Sequence, residues 1–340
     1  MIQKAYQQKL YQKKEVIEDD QIKFKLINDS NEQIGFSDAL EFDKNGQTMI
    51  SGNIDQVRIW NFEQGRLELS CTYQVHELSI TSLVYSKQSN NFISGSDDYT
   101  IICWQQINPQ EWKHSQPYKQ HNGTINCLML NKNEDQLISG SCDYTLRVWN
   151  VDFQSNELTY LYSLNNHDNT VRSFSFNQQQ TIMASCGFDK FIIWEKGLQG
   201  KWEFKYKQQV AYGSKIILIN DQQLLWVTLE RKIDDILVFE QQNGVFQQNN
   251  NKTIKLLKNN KCEDYFYFPI IHNRDRNIIL VRHKHHIYLI RELNDGTFII
   301  IASLDCQIQQ TFGTMTMNGQ YLVVWDFKYK KYSSYEIQNI

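Results

Sequence analysis

The chain has 340 residues, 41% hydrophobic and 13% aromatic, and a formal net charge of −3. That balance leaves no electrostatic footprint for direct nucleic-acid binding, and no apolar run of 18 or more residues offers a membrane-spanning helix. Seven cysteines with no C-x-x-C pair read as small packing residues in a reducing compartment, so an intracellular, cytoplasmic location is the expectation.

Residues 1–19 lack the apolar core of a secretory signal. Ile2, Tyr6 and Leu10 fall at i, i+4 spacing, which suits either a short amphipathic helix or a solvated tail. This extension is expected to precede a single domain over residues 20–340. The segment IKFKLIND (22–29) is the first strand candidate. Four similar runs then follow: ISGNIDQVRIW, ISGSDDYTIICW, ISGSCDYTLRVW and ASCGFDKFIIW. They end at Trp60, Trp104, Trp149 and Trp194, which are 44, 45 and 45 residues apart. A period of this length signals units that bury their apolar faces only by stacking on one another.

Within the runs the polar residues keep fixed places. His76, Ser94, Asp98 and Trp104 recur as His121, Ser139, Asp143 and Trp149, and again as His167, Ser185, Asp189 and Trp194. The first run keeps Ser51, Asp55 and Trp60 but has Gln33 where histidine is expected. The repeats resemble the WD-repeat family over residues 36–200. The resemblance implies an all-β propeller in which each His, Ser, Asp and Trp form a hydrogen-bonded set within one blade. A Ser–His–Asp hydrolase is disfavoured, because a catalytic triad occurs once per site and this trio recurs once per blade.

Beyond Trp194 the signature fades, and alternation of apolar and polar residues marks the strands. Blade five takes KIILIN (215–220), LLWVTLE (224–230), IDDILVFE with Phe239 in the tryptophan place, and TIKLLK (253–258). Blade six takes 265–273, 278–283, 285–292 and 297–304. Blade seven has only 314–318, 321–327 and 333–338. An open ring would leave sheet edges exposed, so strand 22–29 is expected to complete blade seven. The expectation is a seven-bladed β-propeller of four-stranded antiparallel blades.

On the rim that carries the His loops and Asp turns, here the top rim, Tyr99 and Tyr144 follow the turn Asp and Phe188 precedes it. Either the three rings form a partner-binding patch, aromatics being enriched at interface hot spots, or each packs over its own turn. His283, His285 and His286, in RHKHH, read as a solvated basic hairpin tip able to meet a partner. They lack the further ligands that a metal site needs.

No catalytic constellation, cofactor motif or metal site is expected. The likeness implies a non-enzymatic scaffold or adaptor that holds other proteins, with no direct nucleic acid, no membrane insertion and no small molecule. Trp112 and Trp202 make the middle blades similar to the WD-repeat targeting subunit of cytosolic iron–sulfur assembly. A structural subunit of a ciliary, mitochondrial or ribosomal particle is the other alternative.

Overall fold

Strand runs rich in β-branched residues, punctuated by two- to four-residue polar turns, can satisfy their backbone groups only by pairing with sequence neighbours. In blade two Ile80–Tyr85, Asn91–Ser96, Ile101–Asn108 and Glu111–His114 pair antiparallel in chain order, forming strands a to d. A computed structural model of the chain describes residues 22–33, 35–259, 261–265, 267–308 and 310–339. Seven such sheets follow one another, and no α-helix occurs among the described residues. The a strands of blades one to five touch in succession, that of blade seven touches that of blade one, and shared apolar clusters join blade five to six and six to seven, so the sheets form a closed ring.

Burial grades outward along each blade. Asn91–Ser96 is buried throughout, whereas Trp202–Gln209, a d strand, buries little beyond Trp202. The core therefore lies in the seams between blades. One seam packs Ile50, Val57 and Ile59 of blade one against Ile80, Leu83 and Phe92 of blade two. In blades two and three the Ser-Gly dipeptide serves such a seam: a Cβ on Gly95 would lie 2.5 Å from Ile125 Cγ2 of the next blade. Blades six and seven carry Arg282 and Trp325 at the matching register, both fully buried. Their seams are built from larger side chains, which explains the loss of the motif.

Ring closure follows the expected route. Ile22–Glu32 runs antiparallel to Lys331–Asn339, from Ile22 opposite Asn339 to Glu32 opposite Lys331. Both ends of the described chain are thereby locked into blade seven.

Three strand assignments need correction. In blade five the outer edge is Val245–Gln248 together with Ile254–Lys255, both paired to Asp235–Gln242 and separated by the 3-10 turn Asn250–Lys252. The segment 253–258 is thus only the second half of strand d. In blade six strand a shrinks from 265–273 to Ile271–Asn273. Pro269 has no N–H for the ladder, and Tyr265 turns aside onto Phe312 of blade seven, with ring centroids 5.7 Å apart. In blade seven strand a is Thr311–Met315, earlier than 314–318, because Thr316 opens the turn to the next strand. The helix considered for Ile2, Tyr6 and Leu10 lies outside the described residues.

Candidate functional site

The polar sets show how one residue of turn length redirects a carboxylate. In blade two, His76 Nε2 and Trp104 Nε1 meet Ser94 Oγ at 2.8 and 2.9 Å, and His76 Nδ1 meets Asp98 Oδ2 at 2.9 Å. Blade three repeats this with His121, Ser139, Asp143 and Trp149 at 2.7–2.9 Å. Burial pushes the Asp143 carboxyl up, but hydrogen bonds and the charge of His121 outweigh it and hold the group well below the ordinary range.

Blade four departs from the expected set. His167 and Trp194 meet Ser185 at 2.7 and 2.8 Å, but Asp189 accepts from Gln209 Nε2 at 2.9 Å instead of from the histidine. Blade one does likewise, with Asp55 accepting from Gln74 at 2.8 Å. In both blades the turn between strands b and c has two residues, and Asp stands five before Trp. Blades two and three have a three-residue turn, with Asp six before Trp. The added residue swings the carboxylate inward to the histidine; without it the carboxylate faces strand d. In blade five Trp226 holds the serine register, and its indole donates to the Ala211 carbonyl at 3.0 Å.

A second periodic device escaped the sequence reading. Tyrosine hydroxyls on one blade accept a strand-d backbone N–H of the next: Tyr73 from Trp112, Tyr118 from Leu158, Tyr162 from Trp202 and Tyr206 from Phe246, at 2.8–3.1 Å. The recurrence of Tyr at 44–45-residue intervals was the available signal. Trp112 and Trp202 are buried, against Phe92 and Phe176 respectively.

The three-residue turns put Tyr99 and Tyr144 at φ of 70° and 69°. This left-handed position ends the commonest three-residue hairpin loop and suits glycine or asparagine; a bulky L-residue there is strained. Yet both rings are solvent-exposed, at 40% and 48%. Phe188 differs from them, being half-buried between Tyr212, stacked at 5.1 Å, and the Arg172 guanidinium at 4.9 Å. Tyr212 takes its place as the exposed ring of that blade. Phe36, Ile54 and Leu78 extend the exposed apolar surface over the loops and turns of blades one and two.

The histidine tip is not the solvated basic hairpin expected. Arg282, His283 and Lys284 are all buried, and only His285 and His286 are half-exposed. The tip closes the seam between blades five and six, where acceptors from both blades gather. Lys284 Nζ donates to Asp234 Oδ1 at 2.6 Å and to the carbonyls of Arg231 and Asn259. Asp264 bridges Lys215 at 2.7 Å and Arg282 at 2.8 Å. Burial lowers Lys215 to about 8 and His283 to about 4, so the imidazole is neutral near pH 7. His283 therefore offers no charge to a partner. No group of three or more metal-ligating side chains gathers among the described residues.

A closed ring of seven four-stranded blades, several holding a Trp–Ser pair inside, defines a β-propeller of repeat type. The family model for the WD domain, G-beta repeat, matches residues 67–105, 112–150 and 158–194. Each match opens on strand d of one blade and closes at strand c of the next, the same offset that lets Ile22–Glu32 finish the last blade. Three WD repeats thus lie within blades one to four, in a seven-bladed ring of the kind such repeats build. No curated protein matches the chain significantly.

Proposed function

We propose that the ring is a non-enzymatic interaction scaffold that holds a partner protein on its top rim. The observation that carries this reading is the pair Tyr99 and Tyr144, exposed rings kept at backbone positions where glycine would cost less. A side chain that strains its turn and buries little of its own surface does little for the fold, whereas aromatics supply much of the energy at protein interfaces. WD-repeat propellers generally bind other proteins, which agrees with this use of the rim.

The test is the variant Tyr99→Gly/Tyr144→Gly/Tyr212→Ala. Co-purification from the native cell should lose the partners of the wild type, while the melting temperature holds. Partners retained by the triple variant would move the binding face elsewhere. Buried Trp112 and Trp202 favour no particular partner, so iron–sulfur targeting gains no separate support.

A further inference from the structure

Resting on that reading, we infer that the partner lays an acidic segment, rich in Asp and Glu, across the top of the seam between blades five and six, where Arg231, Lys232, Lys258 and Lys261 present an excess of positive charge. Two loops bring these residues together: the turn 229–234 between strands b and c of blade five, and the connection 256–270 from blade five to blade six. A single buried ammonium joins the loops. Lys284 Nζ donates to the Arg231 carbonyl at 2.8 Å and to the Asn259 carbonyl at 2.9 Å. Asn259 fastens them further, its N–H donating to Asp234 Oδ2 and its Oδ1 accepting from the Lys261 N–H, both at 3.1 Å. Lys232 and Lys258 are the chain neighbours of the two residues that Lys284 holds. All four cationic side chains are exposed, on backbone that the buried lysine fixes in place.

The excess has a structural cause. Other cations already take the carboxylates of this region: Lys284 holds Asp234 at 2.6 Å, Lys255 holds Asp235 at 2.7 Å, and Lys215 and Arg282 share Asp264 at 2.7 and 2.8 Å. Arg231, Lys232, Lys258 and Lys261 form no ion pair among the described residues. Within the two loops only Glu230, half-buried, and Glu263, exposed, remain to oppose them. The patch is therefore basic on a chain whose net charge is −3, an asymmetry that steers an acidic partner to one side of the ring. Apolar surface adjoins the charge. The exposed Tyr212 is tied to the same turn, its carbonyl accepting from the Leu229 N–H at 2.8 Å, while the Leu229 carbonyl accepts from the Asp264 N–H at 3.0 Å. Leu257, 53% exposed, stands next to Lys258. Rings and aliphatic surface beside lysines fit a polypeptide of mixed acidic and apolar residues. Nucleic acid instead demands a track of cations that neutralises successive phosphates.

The experiment is selection of a phage-displayed random peptide library on the immobilised full chain, followed by fluorescence anisotropy with synthetic copies of the enriched peptides. Enriched sequences should combine Asp or Glu with an apolar residue, and their affinity should weaken as salt is added. The variant Arg231→Glu/Lys232→Glu/Lys258→Glu/Lys261→Glu should lower that affinity by roughly tenfold or more, since exposed pairs contribute modestly one by one and here all are reversed together. Lys113→Glu, on the outer strand of blade two, should leave it unchanged; melting curves check that each variant is folded. Acidic peptides that bind the charge-reversed variant equally well, or enriched peptides without acidic residues, would overturn the acidic segment. If those same peptides are lost with Tyr99→Gly/Tyr144→Gly/Tyr212→Ala, the top-rim scaffold stands; peptides insensitive to both variants would overturn both readings. Oligothymidylate, or vesicles of phosphatidylcholine and phosphatidylserine, bound more tightly than any peptide and released by the charge reversal would give the patch to a nucleic acid or a membrane and overturn the acidic segment. No enrichment would overturn the acidic segment alone, since it requires recognition of a short stretch of chain.

Discussion

Asp143 and Asp189 occupy the same place in two successive repeats, yet their removal should have very different costs. The Asp143 carboxylate accepts from His121 Nδ1 at 2.8 Å, the Asn122 N–H at 3.0 Å, and the Thr145 N–H and hydroxyl at 3.0 and 2.7 Å. Alanine there strands the ring N–H of a histidine that is 1% exposed. It also frees two backbone donors in a tight turn. A buried unsatisfied group costs roughly 1–3 kcal/mol and a part-exposed one less, so Asp143→Ala should destabilise by about 2–4 kcal/mol. Asp189 accepts from an exposed Gln209, and Asp189→Ala should cost no more than about 0.5 kcal/mol. Urea unfolding followed by tryptophan fluorescence measures both, and hydrogen exchange should localise the loss to 136–152. The Asp143 carboxyl is depressed in the folded state, so its contribution is present above the unfolded value of about 3.9 and is lost as pH falls below it. The gap between Asp143→Ala and wild type should therefore shrink below about pH 4. Equal costs for the two variants, or a gap unchanged at low pH, would refute the account of turn length.

Glu41, pushed up to about 7 chiefly by burial and only partly offset by Lys87, stabilises the ring below its unfolded value and loses that contribution as pH rises through 7. Glu41→Gln should match wild type near pH 5 and exceed it by about 2 kcal/mol at pH 8, read by thermal melts at both values. Tyr162→Phe leaves the Trp202 N–H without its acceptor and should cost about 1–2 kcal/mol in urea, with blade four exchanging faster. Asp264→Asn removes the shared counter-charge of Lys215 and Arg282 and should cost about 3–5 kcal/mol, the typical penalty for breaking a buried pair. Tyr144→Gly relieves a left-handed tyrosine and should hold or raise the melting temperature; a clear drop would mean that the ring packs on its own turn.

Architecture was readable from the chain because local periodicity expresses it. Trp60, Trp104, Trp149 and Trp194 set the blade length, and alternation alone located all but the edges of blades five to seven. A strand too few at one end and one too many at the other implied the closure that Ile22–Glu32 makes. Such inferences succeed because each blade is built from consecutive residues. The fates of individual side chains depended on contacts between blades, which a linear pattern does not carry. His283 looked like part of a solvated tip, yet acceptors 50 to 53 residues away draw Lys284 inward, and the seam closes over its neighbours. Phe188 looked equivalent to Tyr99, but a two-residue turn lays it between Tyr212 and Arg172.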